Sequence, residues 1–260
     1  MLAAIGVASL DELTAVPAEV AARAHLELPG PLDELTLTRA IGDLAARNAQ
    51  PISFLGAGAY RHYIPPAIGA LAMRGEFLTA YTPYQAEVSQ GYLQAIYEWQ
   101  TYVALLTGLE VANASVYDGA TALAEAAVMA VNATGRRRLL VSAALNPQYR
   151  AVLHTYAAGL ELTIDVLPYA ADGTTDVRRL DDALACAEYA ALVIQSPNFF
   201  GIVDAPSDGV AHAVREHGAL LVGVTAEALA LAALRAPADW HADIAVGEAQ
   251  SFGVPLAYGG

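Results

Sequence analysis

Arg138-Leu-Leu-Val141, then Gln148-Tyr-Arg-Ala-Val-Leu-His-Thr-Tyr-Ala157, then Leu162-Thr-Ile-Asp-Val166 is the passage on which the fold turns. Two short apolar runs flank a segment with apolar residues at helical spacing, which reads as strand, helix, strand. A helical crossover of this length returns the chain for a parallel partner strand. Outward from this unit the alternation continues. Further strands are expected at 111–116, 192–195, 220–224 and 243–246, and helices at 120–131, 177–187 and 207–216. Repetition of short apolar strands and amphipathic helices predicts an α/β fold, a mostly parallel sheet with helices on both faces.

The amino-terminal part differs. Ser9-Leu-Asp-Glu12 has the spacing of a capping box, and Leu32, Leu35, Ile41 and Leu44 supply an apolar helical face, with Pro29-Gly30-Pro31 as punctuation. Residues 1–50 therefore form a helical segment ahead of a large domain over 51–260. Residues 51–91 are dense in Gly, Pro and Tyr and predict ordered but irregular backbone. A helix follows over 92–106, with Ile96, Trp99, Val103 and Leu106 at spacings of three and four and Gly108 as its stop. The Gly-rich stretch 250–260 is an odd place for a domain to stop, and a truncated chain is expected.

Composition narrows the function classes. With 56% hydrophobic and 15% charged residues over 260 positions, the chain is long enough to bury a substantial core and is not disordered in character. A net charge of -14 repels phosphate backbones, so nucleic acid is a poor partner. No run reaches the roughly 18 to 20 apolar residues of a membrane span, and a cytoplasmic protein is expected. Cys186 is the single cysteine and sits among Leu184, Ala185 and Ala187, where it reads as core. The histidines at 25, 62, 154, 212, 217 and 241 show no metal-ligand spacing, and no metal is expected. The 13 cationic residues are all arginine, so no side chain here can form an imine.

Several stretches could carry a site. Residues 53–65 contain a GxG that lacks the preceding strand and third glycine of a dinucleotide fingerprint, but they concentrate Tyr60, Arg61, His62 and Tyr63 on glycine-rich backbone. Tyr81, Tyr84 and Gln85 repeat that character. Such tyrosines either line a cleft or pack in structured turns at a protein or subunit surface. Gly119-Ala120-Thr121 opens a helix, where free amides and a hydroxyl can hold an anion or cap the helix. Ser142 and Ser251 lack a nucleophile elbow, and Asp181 and Asp182 read as a solvated helix face.

Residues 53–65, 79–91 and 111–127, with 135–140, Gln195-Ser-Pro-Asn-Phe-Phe-Gly201 and 247–260, resemble subunit 1 of the glycine decarboxylase P-protein, glycine dehydrogenase (decarboxylating). The resemblance spans nearly the whole chain. It implies a fold-type I pyridoxal-phosphate transferase-like large domain, with a smaller carboxyl-terminal domain beyond residue 260. It also implies decarboxylation of glycine and aminomethyl transfer to the lipoyl arm of the H-protein, with pyridoxal phosphate held covalently by the lysine of subunit 2. Laying the family's lysine pattern over Gln250-Ser-Phe-Gly-Val-Pro255 puts Gln250 at the lysine position. By the same resemblance, Tyr60, His62, Tyr63, Tyr81, Tyr84 and Gln85 belong to the subunit contact or the wall of the active-site cleft, and Gly119, Ala120 and Thr121 to a vestigial phosphate site. The chain departs from the family at Glu227-Ala228, usually Asp-Pro, and at Arg235, usually Lys, which implies a decayed cofactor pocket. Two other readings stand beside this one: a stand-alone enzyme with an unrecognised site, and a structural or regulatory binding module left from a pyridoxal-phosphate-fold enzyme.

Overall fold

The computed structural model describes residues 1–17, 19–20, 27–52, 54, 56–58, 60–78 and 82–256. The chain forms two compact units, Met1–Ser53 and Phe54–Gly260. In the first unit, helix α1 (Glu34–Ala46) is capped by Asp33, whose carboxylate accepts from the Thr36 amide at 3.0 Å. The capping box expected at Ser9 does not form. Ser9 precedes the short helix Leu10–Leu13 without a side-chain bond, and Glu12 instead accepts from the Ala8 amide at 3.2 Å, one residue too early for the reciprocal pattern.

In the second unit, helix α2 (Gln90–Thr107) precedes an alternating series: helix α3 (Gly119–Thr134), strand β1 (Arg138–Ser142), helix α4 (Pro147–Leu160), strand β2 (Thr163–Leu167), helix α5 (Leu180–Cys186), strand β3 (Ala191–Gln195), helix α6 (Asp208–Glu216), strand β4 (Leu220–Thr225) and strand β5 (Ile244–Gly247). The strands lie in the order β2-β1-β3-β4-β5 and all pair in parallel. Alternate residues serve opposite faces, as the period of two requires. Leu139, Val141, Val193, Val222 and Val224 pack with Leu123 of α3 and Leu153 of α4, while Leu140, Leu192, Ile194 and Leu221 pack with Leu184, Val214 and Trp240 on the other side. Gly223 lets the edge of the Trp240 indole come close to β4, since a Cβ there would sit 2.2 Å from its ring.

One expected strand is absent. Residues 111–116 are irregular, Ser115 has φ of 135°, and the segment's polar atoms are engaged by α2: Trp99 donates to Ser115 Oγ at 3.0 Å and Gln100 to the Ala112 carbonyl. Two valines separated by Ala-Asn-Ala-Ser do not supply the branched run that a fully buried strand needs. Cys186 is likewise exposed rather than core. Helix α5 buries Leu180 and Leu184 at i and i+4, and a residue two beyond Leu184 falls on the opposite face.

Candidate active-site cleft

The chain order reverses between β1 and β3, because β1 leads outward to β2 and β3 returns on its other side. Open parallel sheets bind ligands outside the carboxyl ends of their strands at such a point. Here Gln195, the last residue of β3, accepts from the Asn146 amide at 2.8 Å, and Asn146 donates from its side chain to the Ala57 carbonyl at 3.1 Å. The glycine-rich loop around residue 57 is thereby fixed over the strand ends. Behind it, Ser142 donates to Thr175 at 2.7 Å and Thr175 to Asp204 at 2.7 Å, which ties the loops after β2 and β3 to the end of β1.

Strand β5 delivers Glu248 to the start of α3. Gly247 is closed to a side chain, because a Cβ there would lie 2.4 Å from the Thr225 carbonyl oxygen. Glu248 Oε2 accepts from the Gly119 amide at 3.0 Å, and Oε1 accepts from the amides of Ala249 at 3.0 Å and Gln250 at 3.3 Å. Asp118 caps the same helix, accepting from the amide and hydroxyl of Thr121 at 2.7 Å each, while Thr121 Oγ1 accepts from the Asp118 amide at 3.0 Å. These two carboxylates line a cavity of about 200 Å³ with Ala57, Gly58, Gln148 and Tyr149. The Tyr149 hydroxyl packs against the Gly119 backbone, where a Cβ would be 2.2 Å away. Burial pushes its ionisation far up, and the charges of Glu248 and Asp118 push it further.

A second cluster stands at the end of β4. His62 Nε2 and Glu227 Oε2 are 2.8 Å apart, and Glu227 Oε1 accepts from the Leu229 amide at 3.0 Å. Burial raises the Glu227 carboxyl, but the Ser251 hydroxyl, His62 and the Leu229 amide outweigh it and hold the group below the usual carboxylate range. Ser251 Oγ is buried and faces this carboxylate without completing a hydrogen bond of ordinary geometry. Next to it, Gln250 is only 7% exposed and donates to the Val254 carbonyl. Phe252 meets Trp99 edge to face at 6.1 Å.

Of the residues singled out in the sequence, His62 enters this second cluster, and Tyr60 lies against Gly56 near Tyr149. Tyr63 and Tyr84 are 83% and 84% exposed, and Gln85 is exposed at the start of the turn Ala86–Val88. Tyr81 lies outside the described residues. Gly119 and Ala120 are buried, and the side chain of Thr121 is committed to the cap. Glu248 and Tyr149 were not foreseen. Asp118 was readable from its spacing to Thr121, whereas nothing in the sequence announces that Glu248 meets Gly119, 129 residues away. Among the described residues, no three His, Cys, Asp or Glu side chains gather in a way that could hold a metal ion, and no helix is long and apolar enough to cross a membrane.

A parallel sheet with a loop-lined cleft at its carboxyl ends fits many enzymes, so the residues along the whole chain decide the lineage. A family model described as the glycine cleavage system P-protein matches residues 1–260. This chain belongs to that family. It is 49% identical to the probable glycine dehydrogenase (decarboxylating) subunit 1 of Anaeromyxobacter dehalogenans, over all of this chain and 58% of that relative. It superposes with a TM-score of 0.86 on the crystal structure of glycine decarboxylase (P-protein) of the glycine cleavage system in inhibitor-bound form, with 44% identity over all of this chain and 58% of that one. Alanine–glyoxylate aminotransferase from Nostoc sp., at 18% identity and a TM-score of 0.54, shares the fold alone. The chain thus spans a little over half the length of the P-protein relatives it matches, and its architecture is that of the fold-type I pyridoxal-phosphate enzymes.

Pyridoxal phosphate, which this fold implies, does not fit the cleft of this chain. No side chain of the chain is a lysine, and the Gln250 side-chain amide, at the carboxyl-terminal turn, is bound within that turn. The amide of Gly119, where a phosphate would meet the start of α3, is already taken by an internal carboxylate.

Proposed function

We propose that this chain is the cofactor-free subunit of a cytoplasmic, heteromeric glycine-decarboxylating P-protein, an oxidoreductase component of the glycine cleavage system. In this reading the partner, P-protein subunit 2, holds pyridoxal phosphate on its lysine, glycine is the substrate, and the aminomethyl group passes to the lipoyl arm of the H-protein. The cofactor supplies an electron sink for the carbanion left by decarboxylation. The present chain contributes surface and rigidity.

The observation that carries this reading is the match to the P-protein family along all 260 residues in a chain that holds no lysine. His62 would act through its bond to Glu227, which holds the backbone around residue 62 against the end of β4. Tyr63 and Tyr84, largely exposed, would meet the partner subunit or its cleft, and Tyr60, Tyr81 and Gln85 would belong to the same wall. The filled start of α3 favours a second reading, a purely structural or regulatory module.

Co-expression with subunit 2, followed by exchange of labelled carbon dioxide into glycine in the presence of lipoylated H-protein, separates the two. Exchange that appears only when both chains are present supports the subunit reading. A stable complex without exchange supports the module, and absence of any complex refutes both.

A further inference from the structure

The start of α3 has every feature of an anion site except a vacancy. Sixteen residues of helix place their positive end at Gly119, which is buried and lies at the carboxyl end of the sheet. The anion that meets it is covalently part of the chain. Glu248 reaches the Gly119 amide with one oxygen and two further amides with the other, and Gly247, which has no room for a side chain, fixes the backbone from which it reaches. Asp118 adds a second negative charge one residue before the helix, and Tyr149 closes the remaining side over the Gly119 backbone.

We infer that Glu248 is a built-in substitute for a phosphate group and closes the cleft of this chain to phosphomonoesters. The absence of a lysine forbids the covalent bond of pyridoxal phosphate. Glu248 forbids the non-covalent half of its recognition as well. A phosphate entering the cavity would have to displace a carboxylate that already satisfies the helix amide, while standing beside Asp118 at close range. The two closures use different groups, because the Gln250 side chain donates to the carbonyl of Val254 and only its backbone amide reaches Glu248. The inference concerns this chain alone and stands or falls without the partner subunit.

The test uses the chain labelled with nitrogen-15 at glycine and titrated with inorganic phosphate at constant ionic strength, with the Gly119 amide resonance as the readout. In the parent protein that resonance should show no saturable shift. In Glu248→Ala it should shift saturably, with phosphate binding at least about tenfold tighter than in the parent. Glu248→Gln, which keeps size and an acceptor oxygen but loses the charge, should fall between the two. If the alanine variant fails to fold, the glutamine variant carries the test on the same terms. Saturable phosphate binding at Gly119 in the parent would overturn the inference. So would folded variants whose Gly119 amide remains as indifferent to phosphate as the parent's.

Discussion

Replacing Gly119 by alanine should destabilise the protein, although alanine is the better helix former. The backbone at Gly119 is outside the left-handed region, so conformation alone favours the change by up to about 1 kcal/mol. Against this stands the wall of the cavity. The new methyl would lie 2.2 Å from the Tyr149 hydroxyl oxygen, 2.8 Å from Cζ and 3.1 Å from Cε2. Tyr149 is 7% exposed and cannot swing aside without disturbing Leu123 and Leu153 in the same cluster. Overpacking costs about 1–3 kcal/mol, and an approach of 2.2 Å to a buried ring belongs at the upper end, so that after a helical gain of up to about 1 kcal/mol a net loss of about 2 kcal/mol remains. Urea unfolding should therefore show a lower midpoint with an unchanged slope. Tyr149→Phe removes the atom at 2.2 Å but leaves the ring, so Gly119→Ala should cost at least about 0.5 kcal/mol less in that background. A Gly119→Ala protein as stable as the parent, or more so, would refute the packing described around the start of α3.

Other outcomes follow from the same structure. The Glu227 carboxyl is held low in the folded chain, so its contribution is present above its ordinary value of 4.5 and is lost as pH falls through the lower folded value. Glu227→Gln should remove that part of the acid-side loss of stability, seen as a flatter stability curve below about pH 4.5. Leu123, with no exposed surface between α3 and the sheet, should cost about 3–5 kcal/mol when cut to alanine, measured as a large drop in the urea midpoint. Cys186 should react with a thiol reagent in the native protein without denaturant, one equivalent per chain, because α5 turns it to solvent. Slow reaction that requires unfolding would restore the core assignment.

What was legible in the sequence was what local periodicity can encode. The strands after residue 135 and their helices stand where the apolar runs and helical spacings put them, within a residue or two at most ends. Helix α3 extends past its expected ends because Asp118 caps it and Gly135, with φ of 70°, terminates it. Residues 177–187 split into the turn Val177–Arg179 and α5. The stretch 111–116 misled because a polar segment flanked by valines reads as a strand only if its backbone finds a strand partner, and α2 side chains engage it instead. Cys186 misled because apolar neighbours in sequence are not neighbours on a helix face. The site was the least legible part. Its decisive contacts, Gly119 with Glu248 and His62 with Glu227, join residues 129 and 165 positions apart, and only the assembled sheet brings them together.

In the proposed complex the partner lends the carbonyl-binding amine that this chain lacks. Borohydride reduction of the two-subunit complex in the presence of pyridoxal phosphate, followed by weighing each chain and mapping its peptides, tests this most directly. The expected result is a phosphopyridoxyl mass on a lysine of the partner and an unmodified peptide around Gln250 in this chain. A stoichiometric label on an internal peptide of this chain, with the partner unmodified, would contradict it.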